Sequence, residues 1–284
     1  MPFFNSERFI AEAIESVVHQ TFASWELILV DDGSSDGSTA IAKTFAADHP
    51  DRIRYLQHRD HQNRGTPTSR NLGIAHAFGE YIANLDHDDV WTRTKLEEQV
   101  AVLDSHPTVA MTFGPMILWG SWEDGASSRS DVLQAFTFPT NTLFHPPDYV
   151  PLLLTGKNDP HGYLIRRNAV DGVGGYVDNV GFCGDWALYI KIALRHEIYV
   201  AGFPNYYYRQ HSGQMCRLLR QAGGWHSEFL PFLNWLRKYL GDTGCRHRRV
   251  MRAFAAATRR NRLNRWLEAS SRRARQMFGL RPNA

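Results

Sequence analysis

Apolar positions recur at helical spacing from the start of the chain. After Ser6-Glu7-Arg8-Phe9, a polar helix start, Phe9, Ile10, Ala13, Ile14, Val17 and Val18 mark one face of a helix. The pattern then changes. Trp25 to Val30 is short and nearly continuously apolar, as a strand buried on both faces should be, and Asp31-Asp32-Gly33-Ser34-Ser35 ends it. Ser38 to His49 reads as a helix, Ile53 to Gln57 as a strand and Ser69 to Phe78 as a helix. Glu80 to Leu85 reads as a third strand, closed by Asp86-His87-Asp88-Asp89. A helix over Thr92 to Ser105 and an extended segment over Val109 to Trp119 follow. This alternation predicts an α/β domain built on a mostly parallel sheet flanked by helices. In such sheets ligands sit beyond the carboxyl ends of the strands, where both acidic clusters fall.

The second half is less regular. Gly120 to Pro147 is rich in Gly, Ser and Pro and reads as a long surface loop. Short strands are predicted at Tyr163 to Ile165 and Tyr199 to Ala201, flanking a helix from Asp185 to His196. Helices over Trp225 to Leu240 and roughly Arg246 to Phe278 close the chain.

Charge changes the picture more than composition does. The formal net charge of the 284 residues is only +3, yet residues 217–284 carry sixteen Arg and Lys against Glu228, Asp242 and Glu268. The preceding part is correspondingly acidic, so the two parts are expected to do different jobs. Cys183, Cys216 and Cys245 are scattered, which argues against a disulfide framework or a zinc site and suits a reducing compartment. No apolar run is long enough to span a bilayer, and the first residues lack the basic-then-apolar pattern of a leader. A cytoplasmic protein, able to sit peripherally on the inner membrane face, is expected.

Three carboxylates within Asp86 to Asp89 repel one another, and a divalent cation bridged to a diphosphate would supply the counter-charge. The competing reading is that Asp88 or Asp89 caps the helix near Thr92. Asp31-Asp32 could bind the base and sugar of a nucleotide, or merely form a turn.

Taken in order, the pieces resemble glycosyltransferase family 2. They are Pro2-Phe3-Phe4-Asn5, Leu29-Val30-Asp31-Asp32-Gly33-Ser34, Ser69-Arg70-Asn71-Leu72-Gly73, and Gly79-Glu80-Tyr81-Ile82 leading into Leu85-Asp86-His87-Asp88-Asp89-Val90-Trp91. Val173-Gly174-Gly175-Tyr176, Asp185-Trp186 and Tyr208-Arg209-Gln210-His211 follow. The resemblance covers residues 1–213 and implies a GT-A fold and an inverting, metal-dependent enzyme. Such an enzyme moves a hexose from a nucleotide-sugar, UDP-linked by preference, to a hydroxyl acceptor on a glycan or glycolipid of the cell envelope. It implies donor contacts from Pro2, Phe4, Asp31, Asp32, Arg70 and Asp86. It also implies Mg²⁺ or Mn²⁺ on Asp88 with His211, and a catalytic base at Asp185. The expected division is a nucleotide-sugar half at 1–110, an acceptor half at 111–215 and a basic helical tail at 216–284.

Two departures from the family pattern stand out. Gly184 occupies the position before Asp185 where the family often has Glu; Asp185 itself could instead cap the helix that follows it. Met1 directly precedes Pro2-Phe3-Phe4-Asn5, where family members carry a buried strand of about five apolar residues. That strand is expected to be missing, and Met1 to be an internal residue of the natural protein.

In the tail, Arg246, Arg248, Arg249, Arg252, Arg259, Arg260, Arg262 and Arg265 interleave with Val250, Met251, Phe254, Leu263, Trp266 and Leu267. Such a helix could lie on an anionic membrane surface, which suits a lipid-linked acceptor. It could equally pack its apolar stripe on the domain. Nucleic acid is not an expected partner. A nucleotidyltransferase would bring a Gly-rich basic phosphate loop, and none is visible. A non-catalytic sugar-nucleotide- or membrane-binding module is the alternative from another class.

Overall fold

A computed structural model describes residues 1–122 and 130–278. Part of the loop read at 120–147 and the end of the tail therefore lie outside the described residues.

The chain opens with β1 (Pro2–Phe3), α1 (Ile10–Val18), β2 (Leu27–Asp31), α2 (Ser38–Asp48) and β3 (Ile53–Gln57). These strands form a parallel sheet in the order β1-β2-β3. Every residue of β2 is buried, as its apolar run requires. The face of α1 built from Ile10, Ala13, Ile14 and Val17 packs into the same core. α3 (Thr66–His76) starts after Gly65 with Pro67 in its first turn, where the missing N–H costs nothing.

A second sheet joins β4 (Tyr81–Ala83), β6 (Val109–Phe113), β9 (Thr142–Phe144), β10 (Leu164–Arg166) and β11 (Glu197–Val200) in the order β4-β10-β6-β11-β9. A third joins β5 (Val90–Trp91), β7 (Met116–Trp119), β8 (Val132–Gln134) and β12 (Tyr206–Arg209) in the order β5-β12-β7-β8. Parallel pairing holds in the first sheet, and mixed pairing follows. β11 is parallel to β6 and β12 to β7, whereas β10 runs antiparallel to β4 and β6. Helices α4 (Lys95–Ser105), α5 (Tyr149–Leu153), α6 (Arg167–Gly172) and α7 (Gly184–Ala193) complete the layers.

Two readings of the sequence are corrected, and one left open is decided in part. The extended segment 109–119 is two strands, β6 and β7, in different sheets. The stretch read as a surface loop contributes β8 and β9 as paired edge strands. Its inward residues Phe136, Phe138 and Phe144 pack on the core around Tyr149. Of the two readings of the tail, packing on the domain holds for its first part. After α8 (Met215–Gln221) and α9 (Trp225–Glu228), α10 (Leu230–Asp242) buries Phe232, Leu233, Leu236 and Leu240. The first half of α11 (Arg248–Phe278) buries Val250, Phe254 and Ala257 in the same core.

β1 is two residues long and pairs Pro2 with Val30 and Phe3 with Asp31. Beyond it, the Met1 ammonium donates to the Ile28 carbonyl at 2.8 Å. Burial first, and then the Arg70 charge, lowers its pKa to about 5. β4 has a strand partner, β10, on one side only among the described residues. Between the flanks of β2 and β4 lies a cavity of about 690 Å³ lined by Leu27, Ile28, Ile82, Ala83, Trp91 and Leu164, among others. Arg70, Asn84 and Tyr176 line it as well.

Candidate active site

The site forms where the loops after β2, β4 and β12 meet the starts of α3 and α7. Its centre is Arg70 on α3, 7% exposed. Its Nε donates to Asn84 Oδ1 at 3.0 Å, its Nη2 to Asp86 Oδ1 at 2.6 Å, and its Nη1 to Asp185 Oδ1. The guanidinium lies 5.2 Å from the centroid of the Tyr176 ring. Tyr176 is fixed in turn by two hydrogen bonds with Asn71 and one with the Tyr163 hydroxyl. One arginine thus bridges two carboxylates that are 99 residues apart in sequence, on the β4 loop and on α7.

The environments push these two carboxylates apart. Burial would raise both pKa values. At Asp86 the Arg70 charge and hydrogen bonds from Arg70 and Asn84 outweigh it, and the pKa falls below the ordinary value. At Asp185 burial prevails over Arg70, and the pKa is raised. The environment thus favours the anion at Asp86 and disfavours it at Asp185. The capping reading of Asp185 does not hold. Cys183 stands at the cap position, and Asp185 lies in the first turn, where the helix dipole favours its charge.

Gly184 has a physical reason. A Cβ there would stand 2.8 Å from Pro67 Cγ, because the start of α7 presses on the start of α3. The close approach brings Asp185 to Arg70. Gly184→Glu is expected to cost about 1–3 kcal/mol through overpacking and to lower activity by moving Asp185. Pro67→Ala should recover part of that loss, so a double-mutant cycle on melting temperature should be non-additive; strictly additive losses would contradict the contact.

The acidic cluster divides into three roles. Asp86 faces Arg70. Asp88 Oδ2 lies 3.0 Å from His211 Nε2, and the His211 ring packs tilted against Phe9, 4.6 Å between centroids. Asp89 is buried, accepting hydrogen bonds from the Tyr206 hydroxyl at 2.6 Å and the Arg209 amide at 2.8 Å. Burial and the neighbouring Asp88 and Asp86 charges raise its pKa well above the usual range. Asp89 thus clamps β12 to the loop and so positions His211. None of the three caps the next helix; Thr94 precedes α4. Arg209, 2% exposed, adds a bond to the Asp88 carbonyl at 2.7 Å and one to Glu12.

Among the described residues, no group of three or more His, Cys, Asp and Glu side chains converges as a metal cage. The Asp88–His211 pair nonetheless fits a divalent cation held partly by its ligand. It offers one hard carboxylate oxygen and one imidazole nitrogen, and leaves the other positions to phosphate oxygens and water.

Asp31 and Asp32 are both hydrogen-bonded within the chain at the end of β2. Asp31, 0% exposed, accepts from the Ser34 amide, the Thr39 hydroxyl and the Tyr55 hydroxyl, with His61 Nε2 at 3.2 Å. Burial opposes its charge, and the hydrogen bonds from Thr39 and Ser34 still hold its pKa below the ordinary value. Asp32 accepts from the Arg64 and Gly65 amides at 2.7 and 3.0 Å. The pair fastens the end of β2 to the loop 58–65, Asp31 through His61 and Asp32 through the two amides. Pro2 is buried in β1, while Phe4 is 43% exposed just beyond it.

Sequence reasoning passed over His58, His61, Asp159 and His161. His58 sits between Asp32 and the Ser69 hydroxyl. His161 is kept neutral by burial, its pKa lowered to about 4, beside the Tyr206 and Tyr208 rings. Burial raises Asp159 to about 7, with Arg220 opposing and Asp185 adding to the shift. The cluster Asn158-Asp159-Pro160-His161, polar ahead of an apolar strand, was the one signal in the sequence.

The helix-flanked sheets, with carboxylates and the buried Arg70 and Arg209 at their strand ends, form a GT-A fold, as the similar solved structures bear out. The chain belongs to glycosyl transferase family 2, whose signature matches residues 1–172. EpsE of Bacillus subtilis strain 168 is 45% identical over 106 residues, which are 37% of this chain and 37% of EpsE. The Escherichia coli protein WfgD, a UDP-Glc:α-D-GlcNAc-diphosphoundecaprenol β-1,3-glucosyltransferase, is 38% identical over 103 residues, 36% of this chain and 39% of WfgD. The matched segment thus spans little more than a third of these relatives. In fold, the chain is similar to the mannosyltransferase PcManGT from Pyrobaculum calidifontis in complex with GDP-Man and Mn²⁺. The TM-score is 0.60 at 18% identity, covering 97% of this chain and 73% of that one. It is also similar to S. aureus TarS 1-349 in complex with UDP-GlcNAc, with a TM-score of 0.57 at 20% identity over 75% and 58% of the two chains. Among the described residues no helix is long and apolar enough to cross a membrane.

Proposed function

We propose that the chain is an inverting hexosyltransferase acting on a nucleotide-sugar, UDP-linked by preference, with a lipid-linked or glycan hydroxyl as acceptor. The observation that carries this reading is Arg70, which holds Asp86 and Asp185 on one guanidinium and so ties the donor side to the acceptor side. WfgD, with its UDP-glucose donor and diphosphoundecaprenol-linked acceptor, supports the choice of donor and acceptor class. We keep the division into a donor half at 1–110 and an acceptor half at 111–215, the two sharing two sheets through the β4–β10 and β5–β12 pairs.

Asp185 takes the proton of the acceptor hydroxyl as its oxygen attacks the anomeric carbon opposite the departing diphosphate. One displacement inverts the configuration. Arg70 orients Asp185, and Asp86 receives donor hydroxyls. Phe4, exposed at the end of β1, is placed to cover the base, with Pro2 fixing it and Asp31 and Asp32 shaping the loop around it. A Mg²⁺ or Mn²⁺ ion on Asp88 and His211 would neutralise charge on the leaving diphosphate. Asp88→Ala should lower metal-dependent turnover on the order of 10²-fold, the factor that a few kcal/mol of lost transition-state stabilisation gives. Titrating Mn²⁺ into wild type and variant tests this: equal metal activation of both would remove Asp88 from the ligand set.

A further inference from the structure

α11 has two faces that are out of phase. Val250, Phe254, Ala257 and Asn261 follow one another at steps of four, three and four residues, and all four are buried. A second line, two residues later at Arg252, Arg259 and Leu263, is displaced by roughly 200° at 100° per residue and lies on the opposite side. Arg252 and Arg259 are exposed there. Arg248 and Arg262, which flank that line, are exposed too, and these four arginines form no ion pair among the described residues. The outward face then turns apolar. Leu263, Trp266 and Leu267, spaced i, i+3 and i+4, are 57%, 64% and 47% exposed, and Met251, about three turns earlier, is 41% exposed. Glu268, the acidic residue in this part of the helix, projects toward the buried side.

Packing on the domain therefore accounts for one face of α11 and leaves the other unexplained. An exposed Trp beside two Leu on a polar helix costs solvation unless an apolar phase receives them. Arginines in the same sector specify that the phase has a negative surface. We propose that the outward face of α11, from Arg248 to Leu267, docks on an anionic phospholipid bilayer. Leu263, Trp266 and Leu267 enter the headgroup boundary, and Arg252, Arg259 and Arg262 pair with lipid phosphates. α11 packs on α9, and α9 on α8. α8 follows the His211 loop and exposes Met215 and Leu218. The inference stands apart from the choice of sugar, because docking needs no donor.

The test is co-sedimentation of the full chain with extruded vesicles, phosphatidylcholine alone or mixed with phosphatidylglycerol, at low and high salt. Binding should require phosphatidylglycerol and weaken with salt. Leu263→Glu with Trp266→Glu should reduce partitioning more than tenfold. Arg252→Glu with Arg259→Glu should reduce it by a larger factor, since each basic residue near an anionic surface is worth roughly fivefold. These positions face away from the core, so melting temperature and nucleotide-sugar hydrolysis in solution should stay at wild-type values. Equal binding to phosphatidylcholine, undiminished binding by both variants, or binding to polyuridylate in preference to anionic vesicles would each overturn the proposal. Loss of hydrolysis in wild type with intact vesicle binding would instead count against the enzyme reading alone.

Discussion

Asp185→Asn is expected to lower turnover by about 10²–10⁴, the usual contribution of a placed general base, while donor affinity stays within a factor of about two. The amide keeps an oxygen toward Arg70 and leaves the Arg70–Asp86 pair intact, so the donor side should not notice the change. The proton acceptor is lost, and with it the route for the hydroxyl proton. The pH profile gives a second readout. Because burial raises the Asp185 pKa above the ordinary value, the basic form should be lost on acidification earlier than for a solvated carboxylate. The acid limb of kcat should disappear in the variant. Isothermal titration with the donor and single-turnover kinetics separate the two effects. Donor affinity falling as far as the rate would place Asp185 in binding and not in proton transfer.

The second large effect concerns the cavity between β2 and β4. A strand seated there would satisfy the open flank of β4 and bury its apolar residues. Adding five apolar, β-branched residues immediately before Met1 should raise stability by roughly 3 kcal/mol or more. Burial contributes about 1.5–3 kcal/mol per large side chain, and ordering costs about 1–2 kcal/mol per residue. Melting should rise by about 5–10 °C for a chain of this size. The extension also replaces the Met1 ammonium with a peptide amide. In a chain starting at Met1, that group is charged above its folded pKa only in the unfolded state. Its penalty is therefore absent above pH 8, grows as pH falls from 8 toward 5, and is constant below. Stability should consequently rise with pH across that window, and the extension should flatten the slope. An unchanged melting temperature, or the same gain from a polar extension of equal length, would contradict the reading of the cavity.

How much of this was legible in the sequence depended on whether the signal was local. β2 and β6 are buried at every residue and announce themselves as apolar runs. α1 shows its buried face at helical spacing. The edge strands β8 and β9 are short and half-exposed, with no such run, and were read as loop. β12 hides its nature because Arg209, a charged residue in sequence, is among the most buried side chains, enclosed by Phe9, Trp119 and Trp122. The candidate site divides in the same way. Arg70, Asp86, Asp88, His211 and Asp185 carry motif signals, and the fold brings them to one end of the sheet. The engagement of Asp32 by the Arg64 and Gly65 amides could not be read, since these partners are backbone groups some thirty residues downstream. Gly184 was read as the loss of a partner; the Pro67 contact that excludes a side chain there is a property of two helix starts meeting in space.

The most direct measurement is consumption of a panel of UDP- and GDP-sugars with and without Mn²⁺, by wild type, Asp88→Ala and Asp185→Asn. Metal-dependent turnover of one donor, with inversion at the anomeric carbon and loss in both variants, is the result expected of an inverting hexosyltransferase built around Arg70. A folded wild type that binds a donor, consumes none with any metal, and binds it equally well in both variants would contradict that, and would leave a sugar-nucleotide-binding module in its place.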